Sequence, residues 1–119
     1  MGAKIKGFGT RKIIIDGLNN LCSAEHKIIP DRIETGTFLV AAAITKGSVL
    51  LKKTQPEHLQ SVLDLLSQTG ALIVVEENKI ELNMKQKNFK PVDFTTQPYP
   101  GITPDMQPPF MVLKPITTR

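Results

Sequence analysis

The sequence predicts an α+β or α/β fold built from βαβ-type units. Helix-like stretches alternate with short strand-like runs along most of the 119 residues. Hydrophobic residues make up 40% of the chain and charged residues 22%, which are common values for globular proteins and argue against intrinsic disorder. A chain of this length can remove about two-thirds of its unfolded surface from water, so a core is expected.

The first part of the chain is predicted to consist of short strands and turns. Residues 3–18, AKIKGFGTRKIIIDGL, alternate in polarity around Ile5 and contain an apolar run at 13–15, with glycines between the two. Residues 26–29, HKII, are a further strand candidate, which is expected to end at Pro30.

A helix is predicted to begin at Pro30, because the first helical position does not need the missing N–H. Asp31 and Glu34 then fall in the first turn, where the helix dipole favours acids. One face of this helix carries residues at spacings of four and three, namely Ile33, Thr37, Val40 and Ile44. Gly47 is predicted to end the helix after about Lys46.

The next unit repeats this plan. Residues 48–53, SVLLKK, are predicted to form a strand, and Thr54 and Glu57 have the spacing of a capping box. The helix that follows has an apolar stripe at Leu59, Val62, Leu63 and Leu66. Gly70 is predicted to end it.

Three further strands are predicted after Gly70. Residues 71–84, ALIVVEENKIELNM, indicate two antiparallel strands around a turn at Glu77–Asn78, and residues 91–96, PVDFTT, indicate one more. Because the strands at 48–53 and 71–75 flank one helix, a right-handed parallel crossover is expected between them.

A stiff loop, PYPGITPDMQ at residues 98–107, ends on the carboxylate of Asp105. A helix is predicted from about Pro104 onward. Pro108 and Pro109 each lack a helix donor, and Pro109 disfavours helical geometry at Pro108, so this helix is expected to be disturbed just after Asp105.

Several function classes find no support in the sequence. It contains no Walker A loop, CxxC or HExxH motif, and its two histidines lack acidic or cysteine companions at metal-ligand spacing, so no metal site is predicted. The net charge is +4, but the densest lysine cluster, at residues 85–90, has no interleaved aromatic residues, which favours a solvated loop over nucleic-acid binding. No apolar stretch approaches about 18 residues, and the start of the chain does not have the pattern of a signal peptide, so no membrane association is expected.

Two helix starts carry the remaining candidate chemistry. The first contains Asp31 and Glu34, and the second contains Asp105. A carboxylate at a helix N-terminus is most often a cap or a partner of the helix dipole. The rigid loop before Asp105 favours a functional reading for that residue, because such loops position catalytic groups. Composition and spacing leave both readings open.

Longer motifs stand at and between these two helix starts, namely EHKIIPDRIETGTFLVAAAITKG at 25–47, QPEHL at 55–59, the pair Gly70-Ala71, PYPG at 98–101 and DMQ at 105–107. In these motifs the chain resembles the UDP-N-acetylglucosamine enolpyruvyl transferase family. The opening GAKIKGFGT, residues 2–10, is also similar to the family. The likeness runs from Met1 to about Phe110.

The resemblance implies a transferase that moves enolpyruvyl from phosphoenolpyruvate to the 3-hydroxyl of UDP-N-acetylglucosamine and releases phosphate. This reaction is the first committed step of peptidoglycan synthesis. The resemblance therefore implies a cytoplasmic enzyme of cell wall biogenesis, whose activity affects cell shape, the cell cycle and cell division. The implied fold has two domains of repeated βαβαββ units, and the active site lies between the domains. This chain would contain about one and a half of these repeats. No metal or organic cofactor is implied.

The resemblance also assigns roles to particular residues. Asp105 matches the family's aspartate that contacts the sugar hydroxyl and accepts its proton, with Pro104 beside it at the substrate. Asp31 and Glu34 match acids on the hinge side of the cleft. Residues 1–29 correspond to the end of the first catalytic domain and residues 30–119 to part of the second, with the hinge near 29–30. The chain matches an internal portion of the family's enzymes, so it is expected to be inactive alone and to need the remainder of the enzyme to complete the cleft.

The order Thr103-Pro104 departs from the family, which usually has Pro-Thr before the aspartate, and is expected to move the capping hydroxyl one residue back. Two other functions stay open. One is the sister reaction on shikimate 3-phosphate, and the other is a non-catalytic α/β module derived from the family that binds a protein or RNA.

Overall fold

A three-stranded sheet forms one layer of the fold. The computed structural model describes the backbone of residues 1–117 and the side chains of residues 1–113. The sheet has the order β3 (Ser48–Lys52), β5 (Lys79–Asn83), β4 (Leu72–Glu76). Because β5 pairs antiparallel with both neighbours, β3 and β4 run parallel, as predicted, although β5 lies between them. The two antiparallel strands predicted around Glu77–Asn78 are confirmed as β4 and β5.

Three helices pack around an aliphatic core that also includes one face of the sheet. They are α1 (Arg32–Ile44), α2 (Gln60–Gln68) and α3 (Gln107–Thr117). α1 is central, since it contacts β3, β5, α2 and α3. The largest fully buried side chains are Phe110, Leu39, Leu66, Ile80, Leu82, Met84, Met106, Leu113, Val40 and Thr69. The mixed α+β class predicted from the sequence is therefore observed.

The buried face of α1 is rotated from the predicted one. Thr37 is exposed, and Ile33 and Ile44 are only half-buried. The residues that α1 buries are Thr35, Gly36, Leu39, Val40 and Ala43. The difference arises because small residues, which carry no hydrophobic signal, also face the core where another element approaches closely.

Asp31 caps the N-terminus of α1. Its backbone is extended, with φ −73° and ψ 114°, and its Oδ1 accepts hydrogen bonds from the N–H groups of Ile33 (2.7 Å) and Glu34 (3.3 Å). These bonds satisfy two of the donors that lack partners in a first turn. The prediction that Pro30 begins the helix and Asp31 lies inside it was wrong, because the cap sets the start at Arg32.

Lys46 ends α1 in a left-handed conformation, with φ 51°. The Lys46 N–H donates to the carbonyl oxygen of Ala43 (2.9 Å) and the Gly47 N–H to that of Ala42 (2.8 Å). These two bonds form a Schellman motif. The helix ends where predicted, but the residue that takes the left-handed conformation is Lys46 and not Gly47.

The two helix ends allow a paired stability test. Lys46→Gly is expected to raise the free energy of unfolding by about 0.5–1 kcal/mol, because glycine removes left-handed strain at the cost of some backbone entropy. Gly70, with φ 100°, occupies the matching position after α2, and a Cβ there would lie 3.0 Å from the Asn88 carbonyl oxygen. Gly70→Ala is therefore expected to lower stability by about 1–3 kcal/mol. Urea unfolding measures the change in the free energy of unfolding for both variants, and the two changes should have opposite signs. Changes of the same sign would contradict the assignment of Lys46 and Gly70 to left-handed positions at the two helix ends.

The predicted capping box at Thr54 is not formed. The chain makes a 3-10 turn at Pro56–His58, and α2 begins at Gln60 without a side-chain cap. Thr54 is 7% exposed and its hydroxyl has no hydrogen-bond partner among the described residues. Its N–H donates to the carbonyl oxygen of Asn78 (3.0 Å), so Thr54 is tied to the β4–β5 turn and not to the helix.

Two predicted strands are absent from the structure. Residues 26–29 and 91–96 are not in strands. Ile28 is 84% exposed and has no neighbouring strand, whereas Val92 and Phe94 are half-buried against the core. The alternating polarity at 91–96 therefore predicted which side chains face the core, although this segment does not pair with a strand.

Residues 1–29 lie outside the core. β1 (Lys4–Lys6) pairs antiparallel with β2 (Ile14–Asp16), and none of these 29 residues is buried. The molecule measures 61 × 27 × 18 Å, and its radius of gyration of 18.0 Å exceeds the about 13.5 Å expected for a compact domain of this length. The exposed large apolar residues of this segment are Met1, Phe8, Ile13, Ile14, Ile15, Leu18, Leu21, Ile28 and Ile29.

The helix after Asp105 forms despite its prolines. A 3-10 turn at Pro104–Met106 leads directly into α3. Pro108 and Pro109 lie in the first turn of α3, where backbone N–H groups have no partner within the helix. The expected disturbance was therefore wrong, because both prolines fall where a missing donor costs least.

Candidate functional site

Asp105 lies in the 3-10 turn that begins α3. It is exposed, and it makes no hydrogen bond or ion pair with any residue that the structure describes. The next residue, Met106, is 1% exposed and belongs to the core. The chain thus buries the residue after Asp105 and leaves both carboxylate oxygens available to a ligand.

The loop before Asp105 is closed by backbone hydrogen bonds. The Gln97 N–H donates to the carbonyl oxygen of Ile102 (2.7 Å), and the Gly101 N–H donates to that of Pro98 (2.9 Å). A Cβ at Gly101 would lie 2.7 Å from the Cβ of Gln97, so the loop is too tight there for a larger residue. The predicted stiffness of this loop therefore has a physical basis beyond its prolines.

The loop is attached to the beginning of α1. Arg32 Nη1 donates a 3.2 Å hydrogen bond to Thr103 Oγ1, and the Arg32 guanidinium lies 5.4 Å from the centroid of the Tyr99 ring. Thr103 makes no side-chain cap at its own turn. The capping role expected for this hydroxyl was wrong, because it accepts from Arg32.

A close approach between α1 and the Asp105 turn adds a second attachment. A Cβ built on Gly36 would lie 2.7 Å from Met106 Cε and 3.0 Å from its Sδ. Glycine at this position lets the side chain of Met106 pack directly against the backbone of α1. The two acid-bearing helix starts identified from the sequence therefore contact each other in the fold.

Asp31 and Glu34 line a groove at the start of α1. The groove has a volume of about 360 Å³, and its walls are Pro30, Asp31, Glu34, Thr35, Phe38 and residues 51–54. The Oδ1 of Asp31 is occupied as a cap, whereas Glu34 is exposed. Asp105 and Pro104 are not among the lining residues, so the groove contains only two of the four predicted site residues.

A second groove of about 750 Å³ adjoins the first. It lies between residues 27–30 and the turns at 53–57 and 77–78, and it shares Pro30, Lys53 and Thr54 with the smaller groove. Its walls carry Lys27 and Lys53 together with Glu57 and Glu77, so neither charge sign dominates. Ile29 and Pro30, where a hinge is predicted, are among its lining residues.

The residues that the structure describes hold neither a candidate metal cluster nor a membrane-spanning helix. Those residues contain no group of three or more His, Cys, Asp or Glu that could hold a metal ion. None of the described helices is long and apolar enough to cross a membrane.

The contact between Arg32 and the Asp105 loop was not predicted from the sequence. The two residues in the hydrogen bond are 71 positions apart, so no local periodicity links them. The available signal was indirect, since the only tyrosine of the chain stands in a rigid loop and an arginine stands at the other acid-bearing helix start.

Known proteins are similar to this chain in sequence and in fold. The profile of the family described as EPSP synthase (3-phosphoshikimate 1-carboxyvinyltransferase) matches residues 1–118. Proteins named UDP-N-acetylglucosamine 1-carboxyvinyltransferase are 46% identical in Hydrogenovibrio crunogenus, 48% in Buchnera aphidicola and 50% in Histophilus somni, over 95%, 98% and 95% of this chain.

A solved structure supports the same fold. The crystal structure of the enolpyruvyl transferase NikO from Streptomyces tendae matches 97% of this chain with a TM-score of 0.77 and 23% sequence identity, and the match covers 28% of that chain. The chain likewise spans 27–28% of the length of the three sequence relatives. With the profile matched over residues 1–118, the chain belongs to the EPSP synthase family of 1-carboxyvinyltransferases.

Proposed function

We propose that the chain forms part of an enzyme that transfers enolpyruvyl from phosphoenolpyruvate to the 3-hydroxyl of UDP-N-acetylglucosamine. The observation that carries this proposal is the exposed carboxylate of Asp105, which has no partner among the described residues. It lies on a turn that is held by the Arg32–Thr103 and Gly36–Met106 contacts. The 46–50% identity to proteins named for this nucleotide sugar favours it as the acceptor.

Asp105 is proposed to accept the proton of the attacking hydroxyl. A sugar hydroxyl is a weak nucleophile until a base within hydrogen-bond reach takes its proton. In the net reaction the 3-oxygen replaces the phosphate oxygen on the enolpyruvyl carbon, so the C=C bond is kept in the product. The proton that Asp105 accepts is then passed to the released phosphate or to solvent. Pro104 is proposed to lie beside the substrate. Its fixed φ limits the backbone conformations of the turn that carries Asp105. Neither step requires a metal or an organic cofactor.

We also propose that residues 1–29 end one domain and that residues 30–119 belong to a second, with a hinge near residues 29–30. This division is supported by the absence of buried side chains in residues 1–29. It is also supported by the groove of about 750 Å³ beside residues 27–30. Asp31 and Glu34 would then lie on the hinge side of the cleft, with the rest of the enzyme supplying its other walls.

An enzyme with this activity would work in the cytoplasm at the first committed step of peptidoglycan synthesis. Its loss would affect cell wall biogenesis, cell shape and division. These consequences follow from the proposed reaction and depend on the identity of the acceptor.

An acceptor-exchange assay tests the proposed function. A full-length enolpyruvyl transferase in which residues 1–119 supply the corresponding segment, here called the complete enzyme, is expected to release phosphate from phosphoenolpyruvate with UDP-N-acetylglucosamine. Turnover with shikimate 3-phosphate alone would instead support the sister reaction, which the family description names. The 119-residue chain by itself is expected to release none, because it lacks the groups that hold both substrates in a reactive geometry. Turnover by the chain alone would contradict this expectation.

A further inference from the structure

Arg32 contacts the loop before Asp105 at two points. Its Nη1 donates to the hydroxyl of Thr103 over 3.2 Å, and its Cζ lies 5.4 Å from the centroid of the Tyr99 ring. The second distance falls within the about 6 Å range of cation–π attraction. A single guanidinium therefore connects the first residue of α1 to two places in the loop.

We propose that Arg32 is a positioning residue that fixes the orientation of Asp105, an inference that rests on the proposed role of Asp105 as the base. Thr103 stands two residues before Asp105 and is 7% exposed, and Met106 stands directly after it and is 1% exposed. Asp105 therefore lies between two contacts with α1. One is the Arg32–Thr103 hydrogen bond before it in the sequence, and the other is the packing of Met106 against Gly36 after it.

Arg32 acts through the loop and not through direct pairing with an acid. Among the described residues it makes no ion pair within 4.0 Å, with Asp105 or with any other carboxylate. The neighbouring Asp31 uses its Oδ1 to cap α1. The donors of the guanidinium are therefore free to serve Thr103, and its planar face is available to the Tyr99 ring.

Lysine could not make both contacts in the same way. Arginine presents several donors in a planar fork that can stack on an aromatic ring while one N–H donates in the plane. A lysine ammonium is a compact, strongly hydrated charge on a flexible stem. Arg32→Lys therefore keeps the positive charge and removes the geometry, which makes it a specific test.

The first measurement uses the 119-residue chain. Tyr99 is its only tyrosine and it contains no tryptophan, so intrinsic fluorescence reports this loop alone. Arg32→Lys and Thr103→Val are both expected to lower the steady-state anisotropy of Tyr99 and to speed amide hydrogen exchange at residues 97–103. Arg11→Lys, at an exposed arginine outside the core, is the matched control and is expected to change neither signal. Unchanged anisotropy in both loop variants would overturn the proposal.

The second measurement uses the complete enzyme. Arg32→Lys is expected to lower kcat by about 10- to 100-fold, since a displacement of about 1 Å can cost that much, while KM for UDP-N-acetylglucosamine changes by less than about twofold. Thr103→Val is expected to lower kcat as well. Because the two residues share one contact, the double variant should lose no more than Arg32→Lys alone. Arg11→Lys should leave kcat unchanged.

The outcomes separate this inference from the proposed function. If Asp105→Asn lowers kcat and Arg32→Lys does not, only the positioning role is overturned. If Asp105→Asn leaves kcat unchanged, the role of Asp105 as the base fails, whatever Arg32→Lys does. Independent losses that multiply in the Arg32→Lys/Thr103→Val double variant would also overturn the positioning role, because the two residues would then act separately.

Discussion

Replacement of Asp105 by asparagine in the complete enzyme is expected to lower turnover by about 10²–10⁴-fold. Asparagine has nearly the same shape and retains an oxygen that can accept a hydrogen bond from the sugar hydroxyl, but it cannot take the proton. Binding of the nucleotide sugar should therefore persist, with KM changed by less than about threefold. Steady-state phosphate release at varied UDP-N-acetylglucosamine concentration measures both quantities.

The structure supplies a control for this substitution. Asp105 is exposed and unpaired among the described residues, so Asp105→Asn should alter the free energy of unfolding by no more than about 0.5 kcal/mol. A loss of turnover can then be assigned to chemistry and not to unfolding. Asp16→Asn, on the exposed β2 strand outside the core, should leave both turnover and stability unchanged. An equal loss in both variants would remove Asp105 from the proposed mechanism.

Helical periodicity predicted the elements that bury a stripe of side chains. The apolar stripe at Leu59, Val62, Leu63 and Leu66 corresponds to buried residues of α2 and the turn before it. Gly70 ends that helix as predicted, with positive φ. These features depend on interactions within a few residues, which a sequence pattern can show.

Strand prediction failed where no partner strand was available. Residues 26–29 and 91–96 have suitable composition, but a strand requires a neighbouring chain whose identity local sequence does not reveal. The capping box failed for a related reason, since Thr54 bonds through its backbone to Asn78 on a different turn. In each case a contact distant in sequence decided the local conformation.

The candidate site also combines features that local sequence predicts with features that only the fold reveals. The acids at 31, 34 and 105 could be picked out from helix starts and from the resemblance to a known family, but spacing alone did not distinguish a cap from a base. The structure shows that Asp31 is a cap and that Asp105 is unpaired among the described residues. The attachment of the Asp105 loop through Arg32 spans 71 residues and could be found only from the fold.

Phe110→Ala is expected to lower the free energy of unfolding of the chain by about 3–5 kcal/mol. Phe110 is 1% exposed, and its ring lies 5.3 Å from that of Phe94 at an interplanar angle of 50°. It therefore joins α3 to the irregular segment at 91–96 as well as to the core. Since domains of this size are stable by only about 5–15 kcal/mol, this loss would be a large part of the total.

The adjacent residue makes the test of Phe110 specific. Met111 is on the same turn of α3 but is 58% exposed, so Met111→Ala should change stability by no more than about 0.5 kcal/mol. Urea unfolding followed by circular dichroism should give a lower midpoint for Phe110→Ala, with a similar slope if only stability changes. Equal midpoints for the two variants would show that α3 is not packed as described. Because α3 begins at the turn that carries Asp105, that result would also remove one support of the proposed base.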